Sequence, residues 1–108
     1  MRRGEIYLVQ HPQGDPRRRR AMVVVSRQVL VESNHSSVIC APIGTASRGL
    51  TSEVLVGPDE GLKFVSAIHC DDLISVSKAV LTHYVGSLTE EKQHRLDSAL
   101  AFALGIER

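Results

Sequence analysis

Tryptophan is absent, and only four aromatic residues, Tyr7, Phe64, Tyr84 and Phe102, occur in 108. That is too few for the stacking platform of an RRM or an OB-type binder, where successive bases lie on rings. Cysteine is scarce as well. Cys40 and Cys70 both stand inside apolar stretches, where a thiol acts as a small hydrophobe, and two cysteines do not make a secreted disulfide scaffold. No apolar run approaches the ~20 residues needed to cross a bilayer. Met1-Arg2-Arg3 leads into Gly4-Glu5 and not into the apolar stretch of a signal peptide. A soluble, cytoplasmic protein without a membrane partner is expected. Neither a Walker loop nor a Gly-x-Ser-x-Gly elbow occurs.

The five histidines, His11, His35, His69, His83 and His94, match no metalloprotease or zinc-finger spacing. His69 and Cys70 are neighbours on an expected strand and point to opposite faces, so they cannot share a metal, and the same alternation separates Asp71 from Asp72, which weakens a two-carboxylate magnesium site. No metal site and no cofactor are expected. With 43% apolar residues the chain can fill one compact core, and its length suits a single domain over residues 1–108.

Charge is abundant and unevenly placed. Residues 1–50 carry eight basic and three acidic side chains, and residues 51–108 carry five and nine, so the halves stand at +5 and −4. Four consecutive arginines, Arg17 to Arg20, run straight into Ala21-Met22-Val23-Val24-Val25-Ser26. A strand that the core must bury fixes the last guanidinium of that run, and repulsion within the run favours an anionic partner. Guanidinium is planar, permanently charged and able to bind phosphate through two hydrogen bonds at once. A plain solvated basic loop fits the run equally well.

Short strand patterns dominate the rest, at residues 5–9, 22–26, 37–43, 53–56, 64–70, 73–76 and 82–86. A Pro- and Gly-containing loop is expected at 11–16 and one helical turn within 28–33. Brief strands with frequent turns predict a mainly β, small barrel. One helix closes the chain: Thr89 is a natural N-cap, Glu90 and Glu91 suit the helix dipole, and Gly105 supplies the stop. Its stripe of Leu96, Ala99, Leu100, Ala103 and Leu104 marks it as a helix that packs on the core, not one that enters a DNA groove. Asp59-Glu60-Gly61 is most simply a turn. After the third strand, Gly44-Thr45-Ala46-Ser47-Arg48-Gly49 gathers hydroxyls, an arginine and exposed backbone. Such a loop can approach a phosphate, but taken alone it is more often an ordinary turn.

Several segments together resemble the MazF/PemK family of toxins from type II toxin–antitoxin systems. They are residues 1–9, Arg20 before the valine-rich strand, Val38-Ile39-Cys40-Ala41-Pro42-Ile43, Arg48-Gly49-Leu50 with Ser52-Glu53-Val54, and Asp72-Leu73-Ile74 leading to Val76, Lys78 and Leu81. Gly86-Ser87-Leu88 and Ala103-Leu104-Gly105 complete the set, in order over essentially the whole chain. The resemblance implies an SH3-like β-barrel with a C-terminal α-helix, working as a homodimer. It further implies a metal-independent endoribonuclease that cuts single-stranded RNA by attack of a ribose 2′-hydroxyl on the adjacent phosphate, and that a cognate antitoxin neutralises.

By the same resemblance the catalytic arginine is Arg20, followed here by Ala21 in place of the usual proline. The family's threonine after the Pro-Ile pair is replaced by Gly44, which makes Thr45 the catalytic hydroxyl, with Ser47 in reserve, provided that a bulge at Gly44 restores its direction. Arg17, Arg18, Arg19, Arg27, Ser47 and Arg48 are the RNA-binding candidates, with Asp15 as the acidic residue near the site. Arg17 to Arg19 are expected on the loop. The competing expectation keeps the fold and changes the class, to a CcdB-like toxin that binds DNA gyrase without catalysis.

Overall fold

The computed structural model describes residues 1–10 and 18–107. The loop expected at 11–16, with Asp15, and the candidate Arg17 lie outside the described residues. The chain forms β1 (Glu5–Gln10), β2 (Arg19–Val24), α1 (Gln28–Glu32), β3 (Ser37–Gly44), β4 (Glu53–Val56), β5 (Ser66–His69), β6 (Ile74–Ser77), β7 (Tyr84–Ser87) and α2 (Glu90–Ala103). The strands make one antiparallel sheet in the order β4-β5-β3-β2-β1-β7, with β6 also paired to β3. On the edge facing away from β2, the first half of β3 pairs with β6 (Ser37↔Ser77 to Cys40↔Ile74), and its end pairs with β5 (Ile43↔Ile68, Gly44↔Ala67). Two strands leaving one edge curl the sheet into a half-barrel, mostly β and closed by the C-terminal helix.

The continuous apolar run at 22–25 is explained by burial on both faces. Val23 and Val25 join Ile6, Ala41, Ile43 and Ile68 under α2, which contributes Leu96 and Ala99. Met22 and Val24 join Tyr7, Val9, Val38, Cys40 and Val76 on the other face, capped by Val31 of α1. A strand exposed on neither side has no reason to alternate apolar with polar residues.

β2 starts earlier than the apolar run that announces it. Its partner β1 continues to Gln10, which pairs with Arg19, while Val9 pairs with Arg20. The ladder therefore takes in two arginines, and Arg19 belongs to the strand and not, as expected, to the loop. At the other end the N–H groups of Val25 and Ser26 both donate to the Ile39 carbonyl, which ends the regular pairing.

Helix α2 begins as its sequence dictates: the Thr89 hydroxyl accepts from the Lys92 N–H at 3.2 Å, and Gly105 takes φ 70° at the end. The segment at 58–61 is more than a turn. Glu60 is 1% exposed. Its carboxylate accepts from the Gly57 N–H at 2.7 Å and from Lys92 Nζ at 2.9 and 2.8 Å, which ties this segment to α2. Gly61, at φ 90°, and Gly86 are both glycine by necessity. A Cβ on Gly61 would collide with the Val85 carbonyl and one on Gly86 with the Glu60 carbonyl. Among the described residues, no helix is long and apolar enough to cross a membrane.

Candidate active site

Arg20 stands where two clefts meet. The larger, of about 1150 Å³, is bounded by Arg18, Arg19 and Arg20, by Thr45, and by a wall running from Gly61 to Phe64 that faces His83 and Tyr84. Lys63 adds a further cation, and none of the described lining residues is acidic. The smaller, of about 530 Å³, lies between Arg20, Pro42, Gly44, Arg48, His69 and Asp72. Val9, the partner of Arg20 in the ladder, is buried, and so is Met22 two residues on, so the backbone carrying the guanidinium is anchored on core side chains.

Strand alternation sorts the neighbours of Arg20. It shares a face of β2 with Met22 and Val24, and Gly44 shares the matching face of β3 with Cys40 and Pro42. Arg20 and Gly44 each lie one residue beyond the pair Ala21↔Ile43. Gly44 remains in regular pairing with Ala67, so the bulge considered there is not formed; Thr45 reaches the larger cleft because it follows the strand's last residue, where it is exposed. Position 44 is not a strained backbone, since the positive-φ residues among those described are Gly4, Gly49, Gly61 and Gly105. A Cβ there would meet His69 Nε2 at 3.5 Å, an ordinary contact.

The loop after β3 is organised by Glu53. Its Oε1 accepts from the Ser47 hydroxyl at 3.2 Å and from the Arg48 and Leu50 N–H groups at 3.1 and 3.3 Å. Its Oε2 lies 3.3 Å from His69 Nδ1. Partial burial pushes this carboxyl up, and the two backbone donors, the Ser47 hydroxyl and the nearby His69 more than offset it, holding the group below its ordinary value. The Ser47 hydroxyl thus fixes the loop, and Ser47 borders a separate groove beside α2, while Arg48 borders the smaller cleft. Arg27 is exposed at the start of α1. It lies beyond the opposite end of β2 from Arg20 and borders neither cleft.

The structure therefore brings together Arg18, Arg19, Arg20, Thr45 and Arg48, and leaves Arg27 apart. His69, Lys63 and His83 were not singled out in the sequence as site residues. For His69 a signal existed. Cys70 reads as buried, so its neighbour on the strand must face the other way. Neither cysteine joins the chemistry, because burial pushes the Cys40 thiol up to about 12 and the Cys70 thiol up to about 11, the latter with help from Asp71. Among the described residues, no three His, Cys, Asp or Glu side chains gather as metal ligands.

Comparison with known proteins agrees with this architecture. Residues 2–104 match the family model for the PemK-like, MazF-like toxin of type II toxin–antitoxin systems. The chain is 34% identical over 91 residues to a probable endoribonuclease, MazF5, of Mycobacterium tuberculosis, covering 83% of each. It is 30% identical to a probable endoribonuclease MazF of Mycolicibacterium smegmatis over 98% of both chains. Among solved structures, the M. tuberculosis toxin MazF-mt6 superposes with a TM-score of 0.84 at 26% identity, over 96% of this chain and 99% of that one. A mycobacterial endoribonuclease in complex with its cognate antitoxin shares the fold with a TM-score of 0.86, over 100% and 98%, at 23% identity. By sequence and fold together, this chain belongs to the PemK-like, MazF-like family of type II toxin–antitoxin toxins.

Proposed function

We propose that this toxin is an endoribonuclease that cuts single-stranded RNA, with Arg20 clamping the scissile phosphate. The observation that carries this assignment is the place of Arg20: fixed on a strand buried on both faces, beside Arg18 and Arg19, at the border of two clefts, the larger free of acidic lining among the described residues. Family membership and relatives named as endoribonucleases support the class. The CcdB-like, gyrase-binding alternative is not favoured.

In this chemistry the 2′-hydroxyl attacks the neighbouring phosphorus as the 5′-oxygen leaves. The protein must hold the three atoms in line and stabilise negative charge on the phosphoryl oxygens. Arg20 supplies two parallel donors for that charge and stays charged at any working pH. The Thr45 hydroxyl assists by holding a phosphoryl oxygen; it is too weak an acid–base group to do more. Arg18, Arg19 and Arg48 guide the RNA backbone, and Arg27 meets only RNA that extends beyond the clefts. No step requires a metal ion. We further propose that residues 1–108 act as one toxin domain in the cytoplasm, as a homodimer neutralised by its own antitoxin.

Incubation of the purified protein with a long single-stranded RNA in EDTA tests this directly. Discrete fragments are expected, and Arg20→Ala should slow their appearance by about 10²–10³, the usual effect of losing a donor to developing charge. Intact RNA together with gyrase inhibition would instead restore the alternative class, and unchanged cleavage by Arg20→Ala would remove Arg20 from the site.

A further inference from the structure

We propose that His69 transfers the proton in this chain's cleavage reaction, acting from the smaller cleft through its Nε2. The inference rests on the assignment of Arg20 as the phosphate clamp. Three observations on one face of the sheet carry it. First, His69 lies at the end of β5 with its side chain 23% exposed and bordering the cleft that Arg20 and Arg48 also border. Second, its Nδ1 lies 3.3 Å from Glu53 Oε2, and that carboxylate is itself held by three donors from residues 47, 48 and 50. A carboxylate so placed favours the proton on Nδ1 and fixes the ring, which leaves Nε2 with its lone pair. Third, Gly44 has no side chain to cover Nε2, since even a Cβ at that position would stand 3.5 Å from it. An oriented base, backed by an anchored acid and opening onto two cations, is the arrangement that general-base catalysis at a phosphate requires.

The step balances as follows. Nε2 of neutral His69 accepts the proton of the 2′-hydroxyl, O2′ forms a bond to phosphorus, and the bond from phosphorus to O5′ breaks. The departing O5′ takes a proton from water in the open cleft, and His69 later gives its proton back to solvent. One fragment ends in a 2′,3′-cyclic phosphate and the other in a 5′-hydroxyl. Arg20 neutralises the phosphoryl oxygens throughout. Glu53 from β4 contacts the imidazole, and Arg20 from β2, Arg48 from the loop after β3 and Asp72 from the turn after β5 border the same cleft.

The test measures kcat/KM on a mapped RNA between pH 5 and 8 for the native chain, His69→Gln, His69→Ala and Arg20→Ala. The native rate should rise tenfold per pH unit on the acid side and then level off. His69→Gln should be about 10²–10⁴-fold slower and lack that limb, while it binds an uncleavable 2′-deoxy analogue within about twofold of the native chain. Imidazole added to His69→Ala should restore cleavage, which a purely structural role for His69 would not allow. His69→Gln keeping the rate within about threefold, or keeping the acid limb at a lower rate, overturns the proposal. If the native chain cuts and Arg20→Ala does not while His69→Gln does, only His69 falls. If the native chain cuts nothing, Arg20 and His69 fall together.

Discussion

Replacing Lys92 by Met should make this protein markedly easier to unfold. Lys92 is the sole side-chain cation on the Glu60 carboxylate among the described residues, at 2.8 and 2.9 Å, and the Glu60 side chain is fully buried. Breaking a buried pair by removing one partner costs about 3–5 kcal/mol, because the remaining charge has neither water nor a counter-ion. The low end applies, since the Gly57 N–H still donates to Glu60 and the Lys92 side chain is 24% exposed, which lets water in. Unfolding entropy of about 2.1 cal/mol/K per residue gives about 0.23 kcal/mol/K for a chain of this length, so a loss of about 3 kcal/mol lowers Tm by about 13 °C. The double variant Glu60→Gln/Lys92→Met should recover at least half of that loss, because a neutral amide keeps the Gly57 bond and needs no cation. Thermal melts followed by far-UV circular dichroism decide the matter. A Lys92→Met melt within about 3 °C of native, or a double variant no more stable than the single one, would refute the reasoning. Because Gly61 and Leu62 begin the wall of the larger cleft, the single variant should also bind RNA more weakly below its melting range.

Arg18→Ala should weaken RNA binding and flatten its logarithmic salt dependence by about 0.7, the slope expected for one phosphate contact on a single strand; an unchanged slope argues against that contact. Glu53 is held below its ordinary 4.5, so the stability it contributes is complete above that pH and is lost as pH falls through the lower folded value. The amide resonances of Arg48 and Leu50 should therefore shift together with a midpoint below 4.5, and a midpoint at or above 4.5 would contradict the geometry. With Cys40 raised to about 12 and Cys70 to about 11, the thiolate fraction at pH 8 is of order 10⁻³ or less. A thiol reagent should label neither cysteine before unfolding, and labelling within minutes in the native state would show that the burial is wrong. Raised values also mean that this contribution is whole below the unfolded value near 9 and drains away as pH climbs toward 11–12.

Local signals were legible wherever one residue type decides the outcome. Thr89 and Gly105 mark the ends of α2 because a hydroxyl caps N–H groups and a glycine accepts positive φ. The run at 22–25 announces a strand because a short, valine-rich apolar run suits a strand covered on both faces. The start of β2 was not legible, because pairing with Gln10, and no property of Arg19 itself, extends the ladder. Glu60 reads as a turn residue in sequence, since its partner is 32 positions away on α2. The candidate site divides in the same way. Arg20 follows from charge meeting an apolar strand, whereas the proximity of His69 to position 44 depends on the pairing of β3 with β5, which no local pattern encodes.

The position of Arg20 on the border shared by two clefts bears on the proposed substrate. A strand that occupied both clefts would pass Arg20 with one phosphate, its flanking nucleotides lying in different clefts. A base-paired helix, which resists bending over tens of nanometres, would follow such a path less readily than a single strand. On the proposed reading, the paired clefts should therefore select for flexibility, favouring strands that can bend over those already wound on a partner.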